Sequence, residues 1–162
     1  MTQANTVHIV GIGSDHGDDR IGWILVRRLA HSYPWPRQVH WHCLRDVQEL
    51  LDRLDGQGTW VLVDAVCCAA APGSSLRLTW PDDQLPALPP GNTHSFDVAG
   101  VLHMAQVLGQ LPPLVVIWAI AGSCFDPGAP LSTALEAAVP ALADRIAQDI
   151  WQLCTSEQAA RP

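Results

Sequence analysis

Apolar residues along the chain group into short runs and helical stripes that alternate. Val7 to Gly13 predicts a first strand, buried for most of its length and closed by glycines. The spacing of Ile21, Ile24, Leu25 and Leu29 predicts a helix over 18–31, with Asp18 as its N-cap and Pro34-Trp35-Pro36 stopping it. Gln38 to Leu44 alternates as a half-buried strand near a sheet edge does, and Asp46 can cap a short helix through Val47, Leu50, Leu51 and Leu54. Trp60 to Val66 is apolar throughout apart from Asp64, which suits a central parallel strand buried on both faces. Ser75 to Trp80 predicts an edge strand of antiparallel sense, and Pro81 to Gly91 a loop. A helix is expected over 95–111, with Val98, Val101, Leu102, Ala105 and Leu108 facing the core and Pro112-Pro113 breaking it. Leu114 to Ile120 is a further buried strand. The last helix starts at Ser132 or Thr133, the latter forming a capping box with Glu136, and runs to about Leu153; Pro140 is expected to kink or restart it.

Strands alternating with helices predict an α/β fold: a three-layer sandwich with a mainly parallel twisted sheet flanked by helices on both faces. Right-handed crossovers give a strand order beginning 2-1-3 and a switch point between the carboxyl ends of the first and third strands. Residues 1–155 are expected to form a single domain, with 156–162 a flexible tail.

Composition narrows the chemistry. The formal charge is −7 and all nine basic side chains other than histidine are arginine, so no catalytic lysine is available and no basic nucleic-acid patch stands out. There is no apolar run of membrane-spanning length and no sign of a signal peptide, so a cytoplasmic protein is expected. The five cysteines (43, 67, 68, 124 and 154) then read as reduced thiols, and the adjacent Cys67 and Cys68 as small apolar side chains packed near the sheet.

The polar residues that remain meet at the predicted switch point. Asp19 follows the first strand, Asp64 closes the third, and His94 precedes the helix of the next crossover. Two carboxylates and an imidazole are a donor set for a divalent transition ion with open positions. Dinucleotide binding through Gly11, Gly13 and Gly17 is the weaker alternative, because the spacing departs from GxGxxG and Asp15, Asp18 and Asp19 would repel a pyrophosphate. No GxSxG motif is present, and no Ser or Cys is set beside a His as a nucleophile. His40 and His42 share a face of their strand but have no third ligand and read as structural; His16, inside the glycine turn, is the other histidine of interest.

The stretches GIGSDHGDDRIG, VLVDAV and THSFDVAGVLHMAQVLGQLP, with LVVIWAIAG and LSTALEAAV closing the pattern, resemble the maturation endopeptidases of [NiFe] hydrogenases. The resemblance covers essentially the whole chain. It implies an endopeptidase that removes a C-terminal peptide from a nickel-loaded hydrogenase large-subunit precursor, with Asp19, Asp64 and His94 as both catalytic and metal-engaging residues. The nickel would arrive in the precursor; zinc or cadmium is expected to substitute in the isolated protein. No nucleic-acid or membrane partner is implied, and a monomer is expected. The chain departs from the family pattern at Ser14 (Asn in the family), at Arg20 (Gly in the family) and in a spacer one residue shorter; Arg20 is expected to pair with a neighbouring acid. A nickel-sensing chaperone using the same three ligands is the alternative from the binding class. Trp35 and Trp80 are expected to be exposed and available for docking.

Overall fold

The computed structural model describes residues 6–81 and 97–159, with side chains described over 6–81 and 98–156. Its elements, in order, are β1 (Val7–Ile12), a 3-10 turn (Gly17–Arg20), α1 (Ile21–Ser32), β2 (Val39–Leu44), a second 3-10 turn (Val47–Leu50), β3 (Thr59–Cys67), β4 (Ser75–Thr79), α2 (Asp97–Val107), β5 (Leu114–Gly122) and α3 (Thr133–Ala159). The five strands form one sheet in the order β2-β1-β3-β5-β4. All neighbours are parallel except β4, which lies antiparallel on β5 at the edge. The expected α/β sandwich and its 2-1-3 start are therefore observed.

Strand alternation divides the core in two. Val7, Ile9, Val61, Val63, Val116, Trp118 and Ile120 face α1 and α3, which supply Ile21, Leu25, Leu29, Leu142, Ile146 and Ile150. Val10, Ile12, Trp60, Leu62, Val115 and Ile117 face the opposite way, against the second 3-10 turn and α2. A residue on one face is thus two positions from the next on that face, as a pleated strand requires.

Close backbone approach seats α1 on the sheet. A Cβ on Gly11 would lie 2.5 Å from the Gly22 carbonyl oxygen, and one on Gly22 would lie 2.5 Å from those of Ile12 and Val63. Only glycine allows helix and strands to come this near.

Several boundaries differ from the sequence reading. Asp18 is not an N-cap of α1; its chain enters through a 3-10 turn and α1 begins at Ile21. Asp46 does cap its turn, in a capping box with Glu49, but regular helix there ends at Leu50. Helix α2 stops at Val107 rather than at the prolines: Gly109 adopts φ 70°. Its N–H bonds the Gln106 carbonyl (3.1 Å), and that of Gln110 bonds Ala105 (2.8 Å), which is a Schellman closure. Leu108, placed past the helical turn, is 56% exposed instead of core-facing. Helix α3 begins after Ser132, whose Oγ accepts from the Leu135 N–H, so the Thr133–Glu136 box is not the cap. It passes Pro140 as one element and continues through Ala159, so 156–159 are helical where a tail was expected. There the Thr155 and Ser156 hydroxyls turn back onto the carbonyls of Trp151 and Gln152.

Candidate active site

The residues of interest gather at the carboxyl ends of β1, β3 and β5. After β1, Gly17 adopts φ 56°, and a Cβ there would collide with the Cys124 carbonyl oxygen. Backbone bonds from Gly17 to Ala129 (3.0 Å) and from Asp18 to Cys124 (2.6 Å) clasp the first glycine turn to the β5–α3 loop. The two acids that follow are separated by this clasp into different environments.

Asp18 points inward and is fully buried. Its Oδ2 accepts from the backbone N–H groups of Ser123 (2.7 Å) and Cys124 (3.1 Å) and from the hydroxyls of Ser123 (3.3 Å) and Ser132 (3.0 Å). Its Oδ1 accepts from the Ser132 N–H at 2.7 Å. Burial pushes the carboxyl up, but these donors outweigh it and hold it below the usual carboxylate range. Asp18 therefore anchors the β5–α3 loop and the start of α3, a role that sequence spacing does not reveal because its partners lie more than a hundred residues away.

Asp19 is half-buried and accepts a hydrogen bond from the Ser14 hydroxyl at 2.6 Å. Ser14 thus contacts Asp19 directly from the position of the family's Asn. Asp64, in the carboxyl half of β3 and opposite Ala119 of β5, is 5% exposed. Its pKa is raised well above the ordinary value, first by burial and then by the negative charge of Asp19, with the Ala65 N–H opposing. The structure thus brings two of the three expected residues close enough for Asp19 to act electrostatically on Asp64. A buried carboxyl pushed up in this way is a proton donor, or a ligand that releases its proton when a cation arrives. His94 lies outside the described residues. Among the described residues no group of three or more His, Cys, Asp or Glu side chains is arranged to hold a metal ion.

Among the described residues Arg20 makes no ion pair with an acid, contrary to expectation. Its Nε donates to the Gly17 carbonyl (3.2 Å), and its Nη2 to those of Asp15 (2.6 Å) and Ala129 (2.8 Å). It ties both sides of the clasp together where a glycine has no side chain to do so. His16 is likewise a loop fastener, its Nδ1 accepting from the Gly128 N–H at 3.3 Å.

The histidines of β2 do acquire a third member, which the sequence did not show because it sits on β1. His8 Nδ1 and His42 Nε2 share a hydrogen bond of 3.1 Å, and His8 stacks on both His40 and Trp60. Burial, then the charge of His8, pushes His42 down to about 4. Asp149 was also missed: nearly buried on α3, it accepts from Arg77 Nε (2.8 Å) and Trp118 Nε1 (2.9 Å), joining β4 and β5 to the helix. The tryptophans expected to be exposed are partly buried instead. Trp35 stacks on Trp151 and donates to the Leu29 carbonyl, while Trp80 packs on the second core against His103. Of the free cysteines only Cys154 is buried; Cys67 is exposed and Cys68 partly exposed rather than packed as apolar groups.

No described helix is long and apolar enough to cross a membrane. Sequence comparison with curated proteins gives no significant match. In solved structures the fold recurs in the hydrogenase maturating endopeptidase HybD from E. coli (TM-score 0.73, 23% identity, 87% of this chain and 89% of that one). It recurs also in the [NiFe] hydrogenase maturation protease HybD from Thermococcus kodakarensis (TM-score 0.68, 21% identity, 90% and 98%). A third example is the hydrogenase maturation protease HycI from Thermococcus kodakarensis KOD1 (TM-score 0.61, 19% identity, 89% and 91%). At these identities the likeness establishes the fold. The family assignment comes from the HycI hydrogenase maturation protease profile, which matches residues 46–149, a stretch that contains Asp64 and His94 and begins after Asp19. Matched over more than half its length, the chain belongs to the hydrogenase maturation protease family and is a peptidase.

Proposed function

We propose that this peptidase removes a C-terminal peptide from a nickel-loaded [NiFe]-hydrogenase large-subunit precursor, meeting the substrate's nickel with Asp19, Asp64 and His94. The observation that supports this reading is the pair of interacting carboxylates. Asp64 is buried beside Asp19, and two such groups resist sharing negative charge unless a cation joins them. A nickel ion carried in by the precursor offsets that cost only when it is present, so the site distinguishes loaded from unloaded substrate. His94 would add the nitrogen donor. Asp19 is oriented by Ser14, and Ser14 by a turn that Asp18 and Arg20 hold in place. With the metal's position fixed, the scissile carbonyl can be polarised or a water activated, with one of the two carboxylates as base.

The test is the intact mass of the precursor after incubation with the wild-type protein, with and without nickel loading. Loss of one discrete C-terminal peptide from the loaded form alone supports the reading. Equal cleavage of both forms would overturn nickel recognition. Binding of the loaded precursor with no change in mass would instead favour a nickel-sensing chaperone.

A further inference from the structure

A groove of about 430 Å3 lies between α1 and the start of α3. Arg20, Ile24 and Arg28 line one side; four-residue spacing from the turn into the helix puts them on one face. Leu131, Val139 and Pro140 form the apolar part of the other side. The groove therefore offers two guanidinium groups with aliphatic surface between and opposite them.

Its charge is unusual for this chain, which carries a formal net charge of −7 and has no lysine. Two of its nine arginines converge here, against a single lining acid, Glu136. Arg28 is exposed and forms no ion pair among the described residues. Arg20 is held in place through Nε and Nη2, which leaves the Nη1 end of the fork to a ligand. The groove borders the turn that carries the candidate active site. Arg20 follows Asp19 directly, and the Ala129 carbonyl that it binds precedes Pro130, another lining residue.

We infer that this groove docks the polypeptide substrate, taking a stretch of the precursor that carries a carboxylate beside apolar side chains. The inference rests on the peptidase acting at Asp19 and Asp64. It assigns α1 a role in substrate selection, with Arg28 recognising charge and the aliphatic walls accepting the neighbouring side chains. The cavity is within the size range of specific ligand sites.

The experiment is steady-state cleavage of the nickel-loaded precursor by wild type, Arg28→Glu, Arg28→Lys and Arg37→Glu. Arg37→Glu makes the same change of net charge at an exposed position away from the groove. Arg28→Glu should raise KM about tenfold or more, with a much smaller effect on kcat, and should weaken the salt dependence of KM. Arg28→Lys should recover most of the loss. A KM for Arg28→Glu equal to that of wild type, or an equal rise in Arg37→Glu, would overturn the assignment. If wild type binds the precursor without cutting it, the catalytic reading fails separately and the dissociation constant replaces KM. Tenfold weaker binding by Arg28→Glu then upholds the groove, and equal binding rejects it.

Discussion

Removing the Asp18 carboxylate should damage the fold far more than removal of a helix cap would. An ordinary N-cap aspartate is worth about 1 kcal/mol. Asp18 instead receives three backbone N–H groups and two hydroxyls in a fully buried position. In Asp18→Ala all three N–H groups lose their acceptor, at about 1–3 kcal/mol for each that stays dry. Relaxation and water entry reduce the sum to about 3–5 kcal/mol. Asp18→Asn keeps one oxygen, best placed at the Oδ2 position with its four donors. Its amide nitrogen then faces the Ser132 N–H, a donor against a donor, and the remaining bonds lose their charge; about 2–3 kcal/mol is expected. Against a total stability of about 5–15 kcal/mol, the alanine variant would be marginal. Urea unfolding measures the cost, and amide exchange locates it: Ser123, Cys124 and Ser132 should lose protection while the first turn of α1 keeps it. A cost of about 1 kcal/mol for Asp18→Ala, with unchanged exchange at those three amides, would refute the anchoring role.

The neighbouring acid should behave in the opposite way. Asp19→Asn removes a like charge acting on Asp64 and keeps an acceptor for Ser14, so its urea midpoint should match or slightly exceed that of wild type while cleavage is lost. The histidine stack should make the protein acid-sensitive. His42 has a folded value of about 4 against 6.5 unfolded, so the unfolded chain binds the proton first, and its contribution, full above 6.5, is lost as pH falls from there toward 4. A shift of that size corresponds to about 3 kcal/mol for a sheltered group, screened here to roughly 1–2 because the ring is only half-buried. His42→Asn should flatten the wild-type stability difference between pH 7 and pH 4.5 by that amount. Asp149→Ala should cost about 2–4 kcal/mol in urea unfolding, because Trp118 Nε1 and the Arg77 guanidinium lose a shared acceptor.

The fold was legible because its strands are short apolar runs and its helices carry 3.6-residue stripes, signals local to each segment. Edge and centre could also be separated, since Val39–Leu44 alternates while Thr59–Cys67 and Leu114–Gly122 do not. Helix ends were harder to read. Gly109 stops α2 ahead of two more conspicuous prolines, and α3 absorbs Pro140. In the site, Asp19 and Asp64 could be placed together because one follows β1 and the other lies in the carboxyl half of β3, strands that a right-handed crossover makes neighbours. The division of labour between Asp18 and Asp19 was hidden, since it depends on N–H groups supplied by residues 123–132. His8 joined the β2 histidines, and Arg77 joined Asp149, through strand and helix pairings that no local pattern encodes.

The most direct test of the central claim is the cleavage rate of nickel-loaded precursor by Asp64→Asn. The amide matches the carboxyl in shape and, like the protonated acid that burial favours, carries no charge, so the fold should persist with an unchanged circular dichroism spectrum and urea midpoint. The account predicts a rate lower by about a hundredfold or more, since a ligand or proton-transfer group is gone. A folded Asp64→Asn protein that releases the peptide within a few-fold of the wild-type rate would contradict it.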